Sequence, residues 1–245
     1  MRQFSAPHLA ALAVLVCATP TWVWAVRRHP GRWMTFARVL LAALIFAAWA
    51  GEYVADGLDG IYSVRYTLPL QLTDLVSVSS VAALLTRRRW LIELVYYLAL
   101  SASLQATLTP DLAYDFPSIF YFTYFVYHIG AIMAACVLVF GERRYPRRGA
   151  VWRCYAIAAA WAALAGLGDV ITGGNYMYLS YRPSHFSLLS LFGPWPLYIL
   201  GGAAIGLAML LLLDWLAAAL AAADHMPRRL SERTRWRVTR ESRSP

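Results

Sequence analysis

The stretch 118-SIFYFTYFVYHIGAIMAACVLVF-140 runs through 23 residues without an Asp, Glu, Lys or Arg. A helix of about 20 apolar residues, rising about 1.5 Å per residue, crosses the roughly 30 Å hydrocarbon core of a bilayer. This stretch therefore reads as a transmembrane span. Similar apolar runs cover residues 6–26, 33–53, 68–86, 90–109, 151–172 and 194–218, making seven. Hydrophobic residues form 60% of the 245-residue chain and charged residues 14%, a balance outside the usual soluble range. The fold expected is an all-α polytopic membrane protein: a seven-helix bundle over residues 1–225 and a basic tail over 226–245. The first run also has the flanks of a signal peptide, but its length and the six further spans favour a membrane helix.

All 22 basic residues are arginines, and they cluster between the apolar runs. The linkers 27-RRHPGR-32, 87-RRR-89 and 143-RRYPRR-148 and the tail hold most of them, while the alternate linkers carry Glu52, Asp56, Asp59, Asp111 and Asp115. The positive-inside rule then places the N-terminus outside and the C-terminus in the cytoplasm of a multi-pass protein of the cell membrane. The basic tail 226-MPRRLSERTRWRVTRESRSP-245 suits anionic lipid of the inner leaflet and not nucleic acid. Cys17, Cys136 and Cys154 show no metal-ligand spacing, and no cofactor or metal is expected.

Polarity collects in 68-LPLQLTDLVSVSS-80. At 100° per residue, Thr73, Asp74, Ser77 and Ser80 share one face of the third helix, with Gln71 just ahead of them. Glu93, Tyr97, Ser101 and Gln105 make a stripe on the fourth span that is expected to face the third. Tyr121, Tyr124 and His128 share one side of the fifth. Asp169 ends the sixth span, and 173-GGNYMYLSYRPSHFSLLSLFGPWPLY-198, with Asn175, Tyr176 and Trp195, reads as a structured cap on the outer face. The serines are expected to hydrogen-bond neighbouring helices. Glu93 is expected to pair with 87-RRR-89. Ionisable groups within hydrocarbon, as Asp74, His128 and Asp169 are expected to be, usually mark function or a tight pair.

Soluble catalytic signatures such as a phosphate loop, HExxH or GxSxG are absent. What remains is a hydroxyl, Thr73, and an intramembrane base, His128. A threonine hydroxyl needs a base to take its proton, and neutral histidine fills that role. Asp74, Asp169 and Tyr124 are candidate orienting groups. Asn175, Gln105 and backbone N–H groups near Pro69 are candidate oxyanion donors, with Gln71, Tyr176 and Trp195 in the surrounding substrate pocket. Counted from the outer ends of the expected spans, His128 lies several ångströms deeper than Thr73.

The segments 68-LPLQLTDL-75, 93-ELVYYLALSASLQATLTPDL-112, 128-HIG-130 and 174-GNYMYLSYRPSHFSLLSLFGPWPLY-198 resemble, in this order, the YwaF family of bacterial seven-helix membrane proteins. That family in turn resembles an animal transmembrane acyltransferase that remodels ether phospholipids and, more distantly, intramembrane hydrolases of fatty-acid esters that use a Thr and a His. The resemblance implies membrane lipids as substrates and His128 as base. The family position matching Thr73 is typically Cys, so this chain keeps a hydroxyl nucleophile where thiol chemistry is lost. Two other classes compete: a small-molecule or proton-coupled carrier using Asp74, Glu93, His128 and Asp169, and a seven-helix ligand-binding or sensory protein.

Overall fold

The computed structural model describes residues 1–183 and 188–241, with side chains described as far as Asp224. The helices are α1 (Ala6–Arg28), α2 (Trp33–Leu58), α3 (Leu72–Thr86), α4 (Arg89–Leu98), α5 (Leu104–Leu108), α6 (Ile119–Cys136), α7 (Ala150–Thr172) and α8 (Leu197–Glu241). No strand occurs among the described residues. A π-turn over Ala99–Ser103 joins α4 and α5 into one span, and another over Val137–Gly141 extends α6.

Six helical segments are long and apolar enough to cross a membrane: Ala6–Arg28, Trp33–Leu58, Arg89–Leu108, Ile119–Gly141, Ala150–Thr172 and Leu197–Asp224. The seventh expected span is α3, which is apolar but only 15 residues long. At about 1.5 Å per residue it covers roughly 22 Å, less than the hydrocarbon thickness. The sequence expectation began this span at residue 68. Residues 68–71, however, form an irregular entry, and Gln71, with extended backbone, caps the helix. At the other boundary, α8 continues unbroken through position 226, so no helix end separates bundle from tail. The final residues of the expected basic tail, 242–245, and the 184–187 part of the expected cap lie outside the described residues.

Burial identifies the centre. The apolar windows of Arg89–Leu108 and Ile119–Gly141 are 67% and 78% buried, against 11–28% for the other four. The outer four show apolar side chains all round, as helices solvated by lipid do. α2 packs closely on α6 at Gly130, where a Cβ would stand 2.7 Å from Cγ1 of Ile45. That contact requires glycine, because Ile45 is fully buried and has nowhere to retreat.

The Arg-rich end is tied together by three carboxylates. Glu93, 1% exposed, accepts from Arg147 at 2.7 and 3.0 Å and from Arg153 at 2.9 Å, with Arg89 at 4.0 Å. The expected pairing with the 87-RRR-89 run is thus the weakest of its three. Glu142 takes Arg38 at 2.5 Å, Arg87 at 2.7 Å and Arg144 at 3.2 Å. Asp224 takes Arg27 at 2.8 Å, the Tyr145 hydroxyl at 2.5 Å and Arg143 at 3.5 Å. Every linker at this end therefore contributes to a carboxylate-centred cluster joining different helices.

The stripe on α4 and α5 turns elsewhere than expected. Tyr97 donates to Asp214 on α8, and the adjacent Tyr96 donates to Leu213 O of the same helix at 2.8 Å. Ser101 donates to Tyr97 O of its own helix at 2.6 Å, satisfying its hydroxyl locally. Ser80 Oγ is buried with no hydrogen-bond partner, so neither serine bridges to a neighbouring helix.

Candidate functional site

At the end of the bundle opposite the Arg clusters, α3 begins in a set of hydrogen bonds centred on Asp74. Its carboxylate accepts from Tyr53 Oη at 2.5 Å and Trp49 Nε1 at 2.9 Å, both on α2, and from the backbone N–H of Gln71 at 2.7 Å. The last is the capping contact in which the third helical residue reaches back to the N-cap. Asp74 is 6% exposed, so these three donors provide the hydrogen bonds that water would otherwise make. Gln71 connects the helix start to the cap: its Oε1 accepts from Met177 N at 2.9 Å and its carbonyl from Trp161 Nε1 at 3.1 Å. Thr73, half-buried, lies in this first turn.

His128 occupies the most buried span and is itself 2% exposed. Its Nδ1 lies 2.8 Å from Tyr124 O. A carbonyl only accepts, so Nδ1 carries the proton and Nε2 keeps its lone pair, the tautomer a general base requires. The imidazole lies between Tyr124 and Tyr127, with ring centroids at 4.3 and 4.4 Å. The Tyr124 hydroxyl donates to Ala106 O at 2.9 Å, fixing that ring to α5. Glu52 of α2 lies near the Tyr127 hydroxyl, so a second carboxyl stands one ring away from the histidine.

No hydrogen bond joins Thr73 to His128 among the described residues, but the two helices pack together, and a bridge at their Arg-rich ends relates their levels. Arg87 follows the last residue of α3, and Glu142 follows the π-turn that extends α6; the two are bridged at 2.7 Å. Thr73 stands fourteen residues before Arg87, and His128 fourteen before Glu142. The two side chains therefore lie at similar depth, roughly 20 Å from the bridge. The mismatch expected from the outer ends came from counting α3 as a full-length span. Because α3 is short, its start is recessed.

The remaining residues of the expected site build the cap. Asp169 accepts from Tyr176 N at 2.6 Å and Ser180 Oγ at 3.3 Å. Asn175 Oδ1 accepts from Ser180 N and Tyr181 N at 2.9 and 3.0 Å, and its Nδ2 donates to Tyr181 O at 2.8 Å. Tyr176, fully buried, donates to Val64 O at 2.7 Å and accepts from Leu68 N at 2.9 Å. Tyr178 donates to Asp111, while its carbonyl accepts from Tyr198 Oη at 2.8 Å. Burial and the adjacent Asp111 push its phenol well above the ordinary value, so it stays a donor. Trp195 Nε1 donates to Leu179 O at 3.1 Å, and Gln105 Nε2 reaches Thr109 Oγ1 at 3.4 Å. The 175-NYMYL-179 motif is thus the junction at which four segments of the cap meet. Gly174 belongs to it for a steric reason: a Cβ there would stand 2.6 Å from Arg65 O.

Sequence reasoning missed Trp49, Glu52, Tyr53 and Tyr127 as members of this cluster. Trp49, Glu52 and Tyr53 are spaced to share one helical face, which was the available signal. Glu52 reads as part of a linker because it stands one residue before the expected limit of the second span at 53, whereas α2 continues to Leu58 and carries it inside the helix. His8 was missed as well. It is completely buried, accepting from Phe4 N at 2.9 Å through Nδ1 and bonded to Thr107 O at 2.9 Å through Nε2, with both nitrogens occupied in structure.

Six apolar membrane-length helices, a seventh short one and a polar cluster recessed beneath a cap define a polytopic helical membrane protein. The chain belongs to the TMEM164 family, whose model matches residues 3–214. No curated protein and no solved structure matches it.

Proposed function

We propose that this protein is an intramembrane lipid acyltransferase or lipid-ester hydrolase in which Thr73 is the nucleophile and His128 the base. The observation that carries the reading is the state of His128: a buried, neutral imidazole whose Nδ1 proton is held by Tyr124 O, leaving the Nε2 lone pair as its basic atom. The common level of Thr73 and His128 on packed helices supports their pairing.

In this reading the Thr73 hydroxyl attacks the carbonyl carbon of a lipid ester as its proton passes to His128 Nε2. The tetrahedral oxyanion meets the unpaired N–H groups of the first turn of α3, at Leu72 and Thr73. Asp74 holds that turn in place and does not itself react. Collapse breaks the ester C–O bond, the leaving alcohol takes the proton from His128, and an acyl-threonine remains. A second hydroxyl, from water or from an acceptor lipid, then attacks with its proton going to His128; collapse breaks the acyl–threonine C–O bond, and His128 returns the proton to the Thr73 oxygen. Water gives hydrolysis and a lipid alcohol gives transfer. Asn175, held by three hydrogen bonds within the cap loop, organises the cap above the site.

A carrier route through Asp74, Glu93 and Asp169 has less support. Each is held by two or more donors, and Glu93 belongs to the Arg-rich end, not to the polar cluster. The proposal is tested by supplying nanodisc-embedded protein with ester phospholipids, with and without a lysophospholipid acceptor, and following free fatty acid and acylated acceptor by mass spectrometry. Turnover lost in both Thr73→Ala and His128→Ala supports it. Turnover indifferent to either, or none from folded wild type, rejects it.

A further inference from the structure

The Arg-rich end contains a cavity of about 280 Å³ that plays no part in the reading above. Arg27, Arg87 and Arg143 line it, with Glu142 at its base and Pro30 and Met34 on its apolar wall. We propose that this cavity binds a phosphate-bearing anion, presented by an anionic phospholipid headgroup or by a soluble phosphate.

Three observations carry the assignment. The first is charge. Among the described residues, Arg27, Arg38, Arg87, Arg143 and Arg144 pair with two carboxylates, Glu142 and Asp224, so five positive groups face two negative ones and an excess of three remains. The second is access. The Glu142 side chain is 3% exposed, buried behind its partners, whereas the Arg87 and Arg143 side chains are 40% and 52% exposed. The Glu142 carboxylate is thus withdrawn and the Arg87 and Arg143 guanidinium groups remain open to a ligand. Guanidinium forks match phosphate oxygens in pairs, a geometry Lys does not offer.

The third is the backbone. Arg87 and Arg143 both take left-handed φ, at 54° and 57°. Glycine adopts that region without strain and is the usual residue just past a helix, as Arg87 is here. Both arginines in that conformation line the one cavity. The Arg87 side chain reaches Glu142 at 2.7 Å. Arg143 reaches Asp224 only at 3.5 Å, which leaves its guanidinium the least committed of the three.

The test uses purified full-length protein in uncharged detergent, with thermal stabilisation measured against dioctanoyl phosphatidic acid, inorganic phosphate and dioctanoyl phosphatidylcholine. Phosphatidic acid is expected to stabilise the protein and phosphatidylcholine not to. Arg143→Gly, which removes the guanidinium and relieves the backbone, is expected to bind about tenfold more weakly while melting no lower than wild type. Arg182→Gly, in the cap at the opposite end, is expected to leave binding unchanged. Stabilisation by phosphatidic acid alone identifies the lipid headgroup as the ligand source, and stabilisation by inorganic phosphate as well identifies phosphate itself. Phenylglyoxal modification of the Arg143 peptide in wild type, slowed by the ligand, supports the site without any variant. No stabilisation by either anion, or equal binding by Arg143→Gly, overturns it.

Discussion

The Arg87 guanidinium meets the Glu142 carboxylate at 2.7 Å, one residue beyond the ends of two packed spans. That bridge joins the Arg-rich ends of α3 and the α6 span, the point from which the similar depth of Thr73 and His128 is counted. Glu142 also neutralises Arg38, whose side chain is only 10% exposed. Glu142→Gln is therefore expected to destabilise the protein by about 3 kcal/mol, because a buried cation loses its partner. It is also expected to lower any ester turnover. A melting temperature and turnover both equal to wild type would contradict the register argument.

Asp74 anchors the start of the same helix. Asp74→Ala leaves Trp49 Nε1, Tyr53 Oη and the Gln71 N–H without their acceptor, and a loss of about 2–3 kcal/mol is expected. Asp74→Asn keeps one side-chain oxygen and should lose less. Denaturation of the two variants in detergent checks the order, and equal stability of all three proteins would remove Asp74 from its structural role.

Gly130 lies two residues beyond His128, where α2 approaches most closely. Gly130→Ala is expected to cost about 1–3 kcal/mol by forcing a methyl group against Ile45. Ile45→Ala should reverse part of the loss in the double variant, because the residues share one contact. Simple additivity of the two changes would show that the helices separate freely at this point.

A thiol at the nucleophile position provides a separate test of activation. Thr73→Cys is expected to be alkylated by iodoacetamide at the new thiol faster than at Cys17, Cys136 or Cys154, since a thiol beside a base is partly thiolate. Peptide mass spectrometry gives the rate at each site. The advantage of the introduced thiol should fall when His128→Ala is added, and an unchanged rate would separate the two residues.

Much of this architecture was legible in the sequence. Six of the seven expected spans are helices of membrane length whose approximate limits follow from apolar length alone, because a bilayer accepts few other backbone structures; α3 is the short exception. The polar face of α3 and the position of His128 were equally plain from helical periodicity. Partners were not. Asp74 read as a lone intramembrane acid because its donors, Trp49 and Tyr53, are more than twenty residues away on another helix. Likewise, the arginine linkers read as a topological signal, while their pairing with Glu93, Glu142 and Asp224 depends on how non-adjacent helices assemble. Asn175 and Asp169 read as candidate chemistry, and their hydrogen bonds within the cap were not legible, because polar residues in a loop do not announce their partners.

The central claim, that His128 activates the Thr73 hydroxyl, is tested most directly by labelling the nanodisc-embedded protein with a fluorescent fluorophosphonate, which reacts with activated hydroxyl nucleophiles. Wild type is expected to label at Thr73, and Thr73→Ala and His128→Ala are each expected to abolish the signal without loss of folded protein. Labelling that survives either substitution, or no labelling of a demonstrably folded wild type, would contradict the account.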